Sequence, residues 1–159
     1  MNEYSKVVPE QVQIEKINTA HCHVLEALHR TSFEKSWDAH EFEQLLHHPG
    51  TGGLIALNWK NIPLGFILVR CAGDEAEILT LCVDPQHRVQ KIATRILKSV
   101  LADLKSAGIL RIILEVAHNN QPAISLYEGC GFDRVGERPG YYRKQGKTAE
   151  AAIIMAYSR

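Results

Sequence analysis

The stretch VDPQHRVQKIATRIL, residues 83–97, decides how the rest of the chain is read. It opens as the end of an apolar run, turns at Asp84 and Pro85, and continues as a helix. Ile92, Ile96, Leu97, Val100, Leu101 and Leu104 form one apolar stripe along that helix, and Gly108 closes it. A strand that turns directly into a helix leaves the first helical N–H groups without partners, and with the helix dipole they make an anion site. Here Val89, Gln90, Lys91, Ile92, Ala93 and Thr94 supply those groups, and Arg88, Lys91 and Arg95 add positive charge. An ordinary strand-to-helix junction with solvated basic residues has the same pattern.

Upstream, LIALNW (54–59), PLGFILVR (63–70) and AEILTLCV (76–83) are strand-like runs joined by short polar turns, as in an antiparallel meander. Two helices precede them. TAHCHVLEAL (19–28) has Thr19 as its cap, and SWDAHEFEQLLHH (36–48) has Ser36 as its cap, Phe42, Leu45 and Leu46 as its buried stripe, and Pro49 and Gly50 as its stop. Downstream, RIILEV (111–116) reads as a buried strand. NNQPAISLYEGCGF (119–132) reads as a short helix with Asn119 or Asn120 as cap, Pro122 in the first turn, and Gly129 or Gly131 as stop. FDRVGE (132–137) and AAIIMAY (151–157) fit a long-looped hairpin. The order ααβββαβαββ predicts an α/β chain, a mixed central sheet flanked by helices, in one domain over residues 1–159.

Composition narrows the partners. Lys plus Arg and Asp plus Glu both number 18, so no global field attracts nucleic acid or an anionic membrane. The four cysteines are scattered without a C-x-x-C pair, which suits a reduced, cytoplasmic setting. No stretch approaches the ~20 apolar residues of a membrane span, and the N-terminal residues do not read as a signal peptide. The pairs His21/His23 and His47/His48 lack a carboxylate or thiolate at zinc spacing, so no metal is expected.

Two residues carry proton chemistry. Glu115 sits in an otherwise apolar run, so its carboxylate must find a polar cleft or be desolvated, which raises a carboxyl pKa and makes a general base. Tyr127, twelve residues on, can bring a phenol toward the same end of the sheet and protonate a thiolate. Taken singly, each is better accounted for by a plainer role, a strand-end salt bridge for Glu115 and an interface tyrosine for Tyr127.

Taken together these segments are not anonymous. The element order, the motif VDPQHRVQKIA and the block LEVAHNNQPAISLYEGCGF resemble the GNAT superfamily of acetyl-coenzyme A dependent N-acetyltransferases. Within it, LEV…NN..AI.LYE.CGF, followed by RPGYY and AAIIM, resembles the bacterial ribosomal-protein-alanine N-acetyltransferases. The resemblance is strong over residues 79–157, and before that FEKSWDAHEF is similar to the family's aromatic entry to the second helix. It implies the GNAT acyl-coenzyme A N-acyltransferase fold, acetyl-coenzyme A as co-substrate, and an amine acceptor such as the N-terminus of a ribosomal protein. A GNAT acting on a small amine or a lysine side chain, or a non-catalytic acyl-coenzyme A binding module, would satisfy the same motifs.

The family's R/Q-x-x-G-x-G/A pattern falls on Arg88, Val89, Gln90, Lys91, Ile92 and Ala93. By resemblance, the N–H groups from Val89 to Thr94 hold the pyrophosphate, and the backbone of Leu81, Cys82 and Val83 pairs with the pantetheine arm. Asn120 matches a cofactor-contacting asparagine, Glu115 the general base, and Tyr127 the general acid. Lys91 stands where the family has glycine. With ordinary helical dihedrals its side chain points outward and its ammonium assists the phosphates; if glycine is there because a Cβ collides with the pyrophosphate, affinity falls. Tyr141 and Tyr142, with Arg138, fall in the loop that lines the acceptor groove in relatives, where they either meet the acceptor or pack on one another. Before the last strand the family's usual acidic pair is reduced to Glu150 followed by Ala151.

Overall fold

The apolar runs pair into a seven-stranded sheet of order β1-β2-β3-β4-β5-β7-β6. Its strands are β1 (Gln13–Lys16), β2 (Thr51–Leu57), β3 (Pro63–Ala72), β4 (Glu75–Val83), β5 (Arg111–Ala117), β6 (Asp133–Arg138) and β7 (Ala152–Ser158). The helices are α1 (Cys22–Ser32), α2 (Ala39–His47), α3 (Ile92–Ser106) and α4 (Gln121–Gly129). The computed structural model describes residues 11–88, 91–140 and 151–158. Neighbouring strands are antiparallel except β4 and β5, which the α3 crossover makes parallel.

Both faces of the sheet are covered, which is why β3 reads as a continuous apolar run. Phe66 and Leu68 join Leu25, Leu28 and Phe42 of α1 and α2 in one apolar cluster. Ile67 and Val69 join Ile96, Leu97 and Val100 of α3, with Ile124 and Tyr127 of α4, in the other.

The structure adds a first strand to the expected order. β1 is QIEK, with only Ile14 half-buried, so it has no apolar alternation to betray it. Pairing with β2, from Gln13↔Leu57 to Lys16↔Leu54, is what makes it a strand, and its charges suit a sheet edge. β2 also begins three residues before its apolar run, at Thr51-Gly52-Gly53. Gly53 is required there because a Cβ would lie 2.0 Å from the carbonyl oxygen of Ile67. Two caps differ from expectation. Asn18, not Thr19, caps a 3-10 turn ahead of α1. Asp38, not Ser36, caps α2 in a reciprocal box: each of Asp38 and Glu41 accepts the other's backbone N–H at 2.8 Å.

The connection between α1 and α2 is held by an aromatic nest around His29. The imidazole stacks between Phe33 and Trp37, at 4.3 and 4.8 Å between centroids, and its Nδ1 accepts the Trp37 N–H at 3.0 Å. Burial pushes this histidine down to about 4, with Glu41 partly opposing. The unfolded chain, near 6.5, therefore takes up the proton first. Stability present at neutral pH should be lost as pH falls from about 6.5 to about 4, on the order of 2–3 kcal/mol. His29→Gln should flatten that part of the stability curve in urea titrations; an unchanged slope would refute the assignment.

Candidate active site

β4 and β5 pair over three residues only, Glu75↔Arg111, Ala76↔Ile112 and Glu77↔Ile113. Just beyond, the β3–β4 register shifts: Leu68 pairs with Thr80 and Val69 with Ile78, leaving Leu79 as an extra residue. Such a bulge bends its strand. From Ile78 to Val83 the outer edge of β4 has no strand partner among the described residues, while β5 continues along β7 to Ala117. A wedge therefore opens in the middle of the sheet. Its β4 edge presents backbone that an extended arm could pair with at Leu81; the Cys82 carbonyl instead points at β3, where a Cβ on Gly65 would lie 2.6 Å from it, and the Val83 carbonyl accepts from Arg88 Nε at 3.3 Å.

At the end of the wedge stands the start of α3. Its first intrahelical bond runs from Arg95 N–H to the Lys91 carbonyl at 3.0 Å, so the N–H groups of Ile92, Ala93 and Thr94 have no intrahelical acceptor, and no side chain caps them. Val89 and Gln90 lie outside the described residues. Lys91 does not have the helical dihedrals expected of it. It is left-handed, φ 59° and ψ 20°, at the N-terminal end of α3. Glycine takes that conformation at no steric cost. Lys91→Gly should therefore stabilise the fold by about 1 kcal/mol, a rise of roughly 2–4 °C in Tm. Coenzyme A affinity should be equal or lower, since the ammonium is lost; a large gain by calorimetry would show that the lysine obstructs.

Arg88 is also placed differently from a free cation of the anion site. Its Nη2 donates to Ser32 Oγ at 3.0 Å, tying the turn after β4 to the end of α1. Asn120 is the α4 cap, its Oδ1 accepting the Ala123 N–H at 3.3 Å, which leaves its amide NH2 as the group for a ligand.

Of the alternatives open for Glu115, the structure has the salt bridge and not burial without a partner. Ile112, Leu114 and Val116 point into the core, and Glu115 projects from the opposite face, where it is 44% exposed and bridged by Arg138. Arg138 is itself the last residue of β6 rather than part of a loop. Tyr127 lies on the other face, under α4, edge-on to Phe132 at 5.5 Å. Burial raises its phenol above the ordinary tyrosine value, so it stays protonated through neutral pH. The two groups therefore lie on opposite faces of the sheet. Tyr141, Tyr142 and Glu150 lie outside the described residues.

Burial pushes the Cys82 thiol up to about 12, which keeps it an inert neighbour of the wedge. The histidine pairs have other contacts: His21 Nδ1 accepts the Asn18 N–H at 3.0 Å, and His47 Nδ1 lies 2.8 Å from the Glu43 carbonyl. Among the described residues no group of three or more His, Cys, Asp and Glu is placed to hold a metal ion. Sequence reasoning missed the Leu79 bulge and the Arg138–Glu115 contact. The first left no signal, and the second spans 23 residues, legible only through strand register.

A split sheet with an uncapped helix start at its opening is matched by a family model, "Acetyltransferase (GNAT) family", over residues 22–132, more than half of the chain. The chain belongs to the GNAT family. Among GNAT relatives, the [ribosomal protein bS18]-alanine N-acetyltransferase of Haemophilus ducreyi is 33% identical over 93 residues, 58% of this chain and 64% of that protein. The chain thus spans somewhat less than two thirds of that relative. A putative enzyme of the same name from Bacillus subtilis is 28% identical over 152 residues, 95% of each chain. The crystal structure of the Escherichia coli ribosomal-protein-S18-alanine N-acetyltransferase superposes with a TM-score of 0.83 at 24% identity, covering 92% of this GNAT chain and 93% of that one, which shows the shared fold.

Proposed function

We propose that this GNAT chain is an acetyl-coenzyme A dependent N-acetyltransferase acting on a protein N-terminal α-amino group, with the N-terminal alanine of a ribosomal protein as its acceptor. The observation that carries the reading is the wedge between β4 and β5, with the N–H groups that start α3 at its end; Glu115 on β5 and Tyr127 under α4, on opposite faces of the sheet, are the groups read as base and acid. The names of the curated relatives support the choice of acceptor. Ribosomal proteins are met in the cytoplasm, and among the described residues no helix is long and apolar enough to cross a membrane.

Bound acetyl-coenzyme A would supply a thioester carbon to an attacking amine. The N–H groups of Ile92, Ala93 and Thr94 fit its pyrophosphate, and the β4 edge at Leu81 fits its amide arm. Glu115 takes the amine proton, directly or through one water, and Tyr127 gives its phenolic proton to the departing sulfur. A backbone α-amine, with a reference pKa of about 7.7–8.0 against about 10.4 for lysine, is partly neutral at physiological pH and asks little of an exposed carboxylate.

Intact-mass analysis after incubation with acetyl-coenzyme A tests this. An alanine-starting peptide should gain one acetyl group, while an N-blocked lysine peptide and spermidine should not. Transfer to the lysine peptide or spermidine alone would overturn the acceptor class, and binding of coenzyme A without transfer to any amine would make the chain a binding module.

A further inference from the structure

The Glu115 carboxylate is held by a residue that no strand neighbour of β5 supplies. Arg138 reaches across the whole width of β7: its Nε donates to Glu115 Oε2 at 3.0 Å, and its Nη2 lies 2.8 Å from the same oxygen. Register makes this possible. Glu115 pairs with Ile154 of β7, and Arg138 pairs with Ala152, two residues away on the same face. Ile153 and Met155 point into the opposite core, so β7 presents Ala152 and Ile154 to this face, and the contact runs diagonally over them. Two strand spacings of roughly 4.8 Å are within the diagonal reach of an arginine and a glutamate, and not of shorter side chains.

The geometry is one-sided. Both guanidinium nitrogens converge on Oε2, and Oε1 accepts no hydrogen bond from any described residue. With Arg138 and Glu115 53% and 44% exposed, the pair contributes little to stability. Its effect is orientation: a carboxylate on a flexible stem is fixed at one oxygen by a planar, pre-organised donor. We propose that Arg138 is the positioning residue for Glu115, gripping Oε2 so that Oε1 is reserved for the proton of the acceptor amine. This rests on the reading of Glu115 as general base.

The test is a double-mutant cycle on the full chain, with each variant's Tm checked. Arg138→Ala should lower kcat toward an α-amine peptide roughly 10- to 100-fold, the scale of a misplaced catalytic group, with the KM for acetyl-coenzyme A unchanged. Arg138→Lys should recover part of that loss. In a Glu115→Gln background the further loss on Arg138→Ala should shrink to about twofold or less, because residues acting as a unit are non-additive. If Glu115→Gln lowers turnover but Arg138→Ala does not, the positioning role fails and the base survives. An undiminished Arg138 effect in the Gln background also overturns it, since Arg138 then acts on something else. If Glu115→Gln turns over normally, the base reading fails and takes this inference with it. One readout is independent of turnover: the Arg138 Nε–H resonance should be resolved by NMR and lost in Glu115→Ala, and its absence in the parent protein would refute the grip.

Discussion

Glu115→Gln is expected to lower kcat toward an alanine-starting peptide by roughly 10²–10⁴-fold, the usual contribution of general base catalysis. Glutamine is nearly isosteric and can still accept from Arg138, so what is lost is the ability to take a proton, not the contact. Glu115 projects away from both apolar clusters, so the fold should not notice: Tm should stay within about 1 °C, as for surface changes worth less than ~0.5 kcal/mol. Coenzyme A binding, by calorimetry, should be unaltered, because the candidate cofactor groups are on β4, on α3 and at the α4 cap. A variant that keeps its turnover would remove Glu115 from the chemistry and leave water as the proton acceptor.

The largest effect on stability is expected at Phe66. Its side chain is fully buried at the centre of the α1/α2 face, edge-on to Phe42 at 5.7 Å and 6.4 Å from His29. Phe66→Ala should cost about 3–5 kcal/mol, lost burial plus the cavity left behind. The damage should be directional. Phe42, His29 and Trp37 lean on one another around this ring and hold the chain between α1 and α2, whereas the α3 face has its own cluster. Hydrogen exchange should therefore rise first in α1 and α2 and leave α3 protected. A loss under about 1 kcal/mol in urea titrations would mean that the cluster repacks, which close-packed interiors rarely allow.

Much of this protein was legible in its residues. The stripe from Ile92 to Leu104, the branched run Arg111–Val116 and the capped turn at Asn120-Gln121-Pro122 depend on local periodicity and chemistry, and the structure has each element there. What failed lacked a local signal. β1 is four mostly polar residues that become a strand only by pairing with β2. Helix caps turned on one or two residues, where several side chains in a row could serve. At Lys91 the expected helical dihedrals gave way to left-handed ones, since nothing in its neighbours announces a left-handed turn.

The candidate site divides along the same line. Residue type and position single out Glu115, Tyr127 and the basic turn at Arg88 as candidates, and the family resemblance adds Asn120. Neither could say that Glu115 faces outward, that Arg138 grips one of its oxygens, or that β4 parts from β5 after three pairs. Those facts belong to register, and register is set by how seven strands fit together under two layers of helices. A one-residue bulge at Leu79 opens the wedge. A period-two strand turns every side chain over when it slips by one, so no single segment can fix where its neighbours will stand.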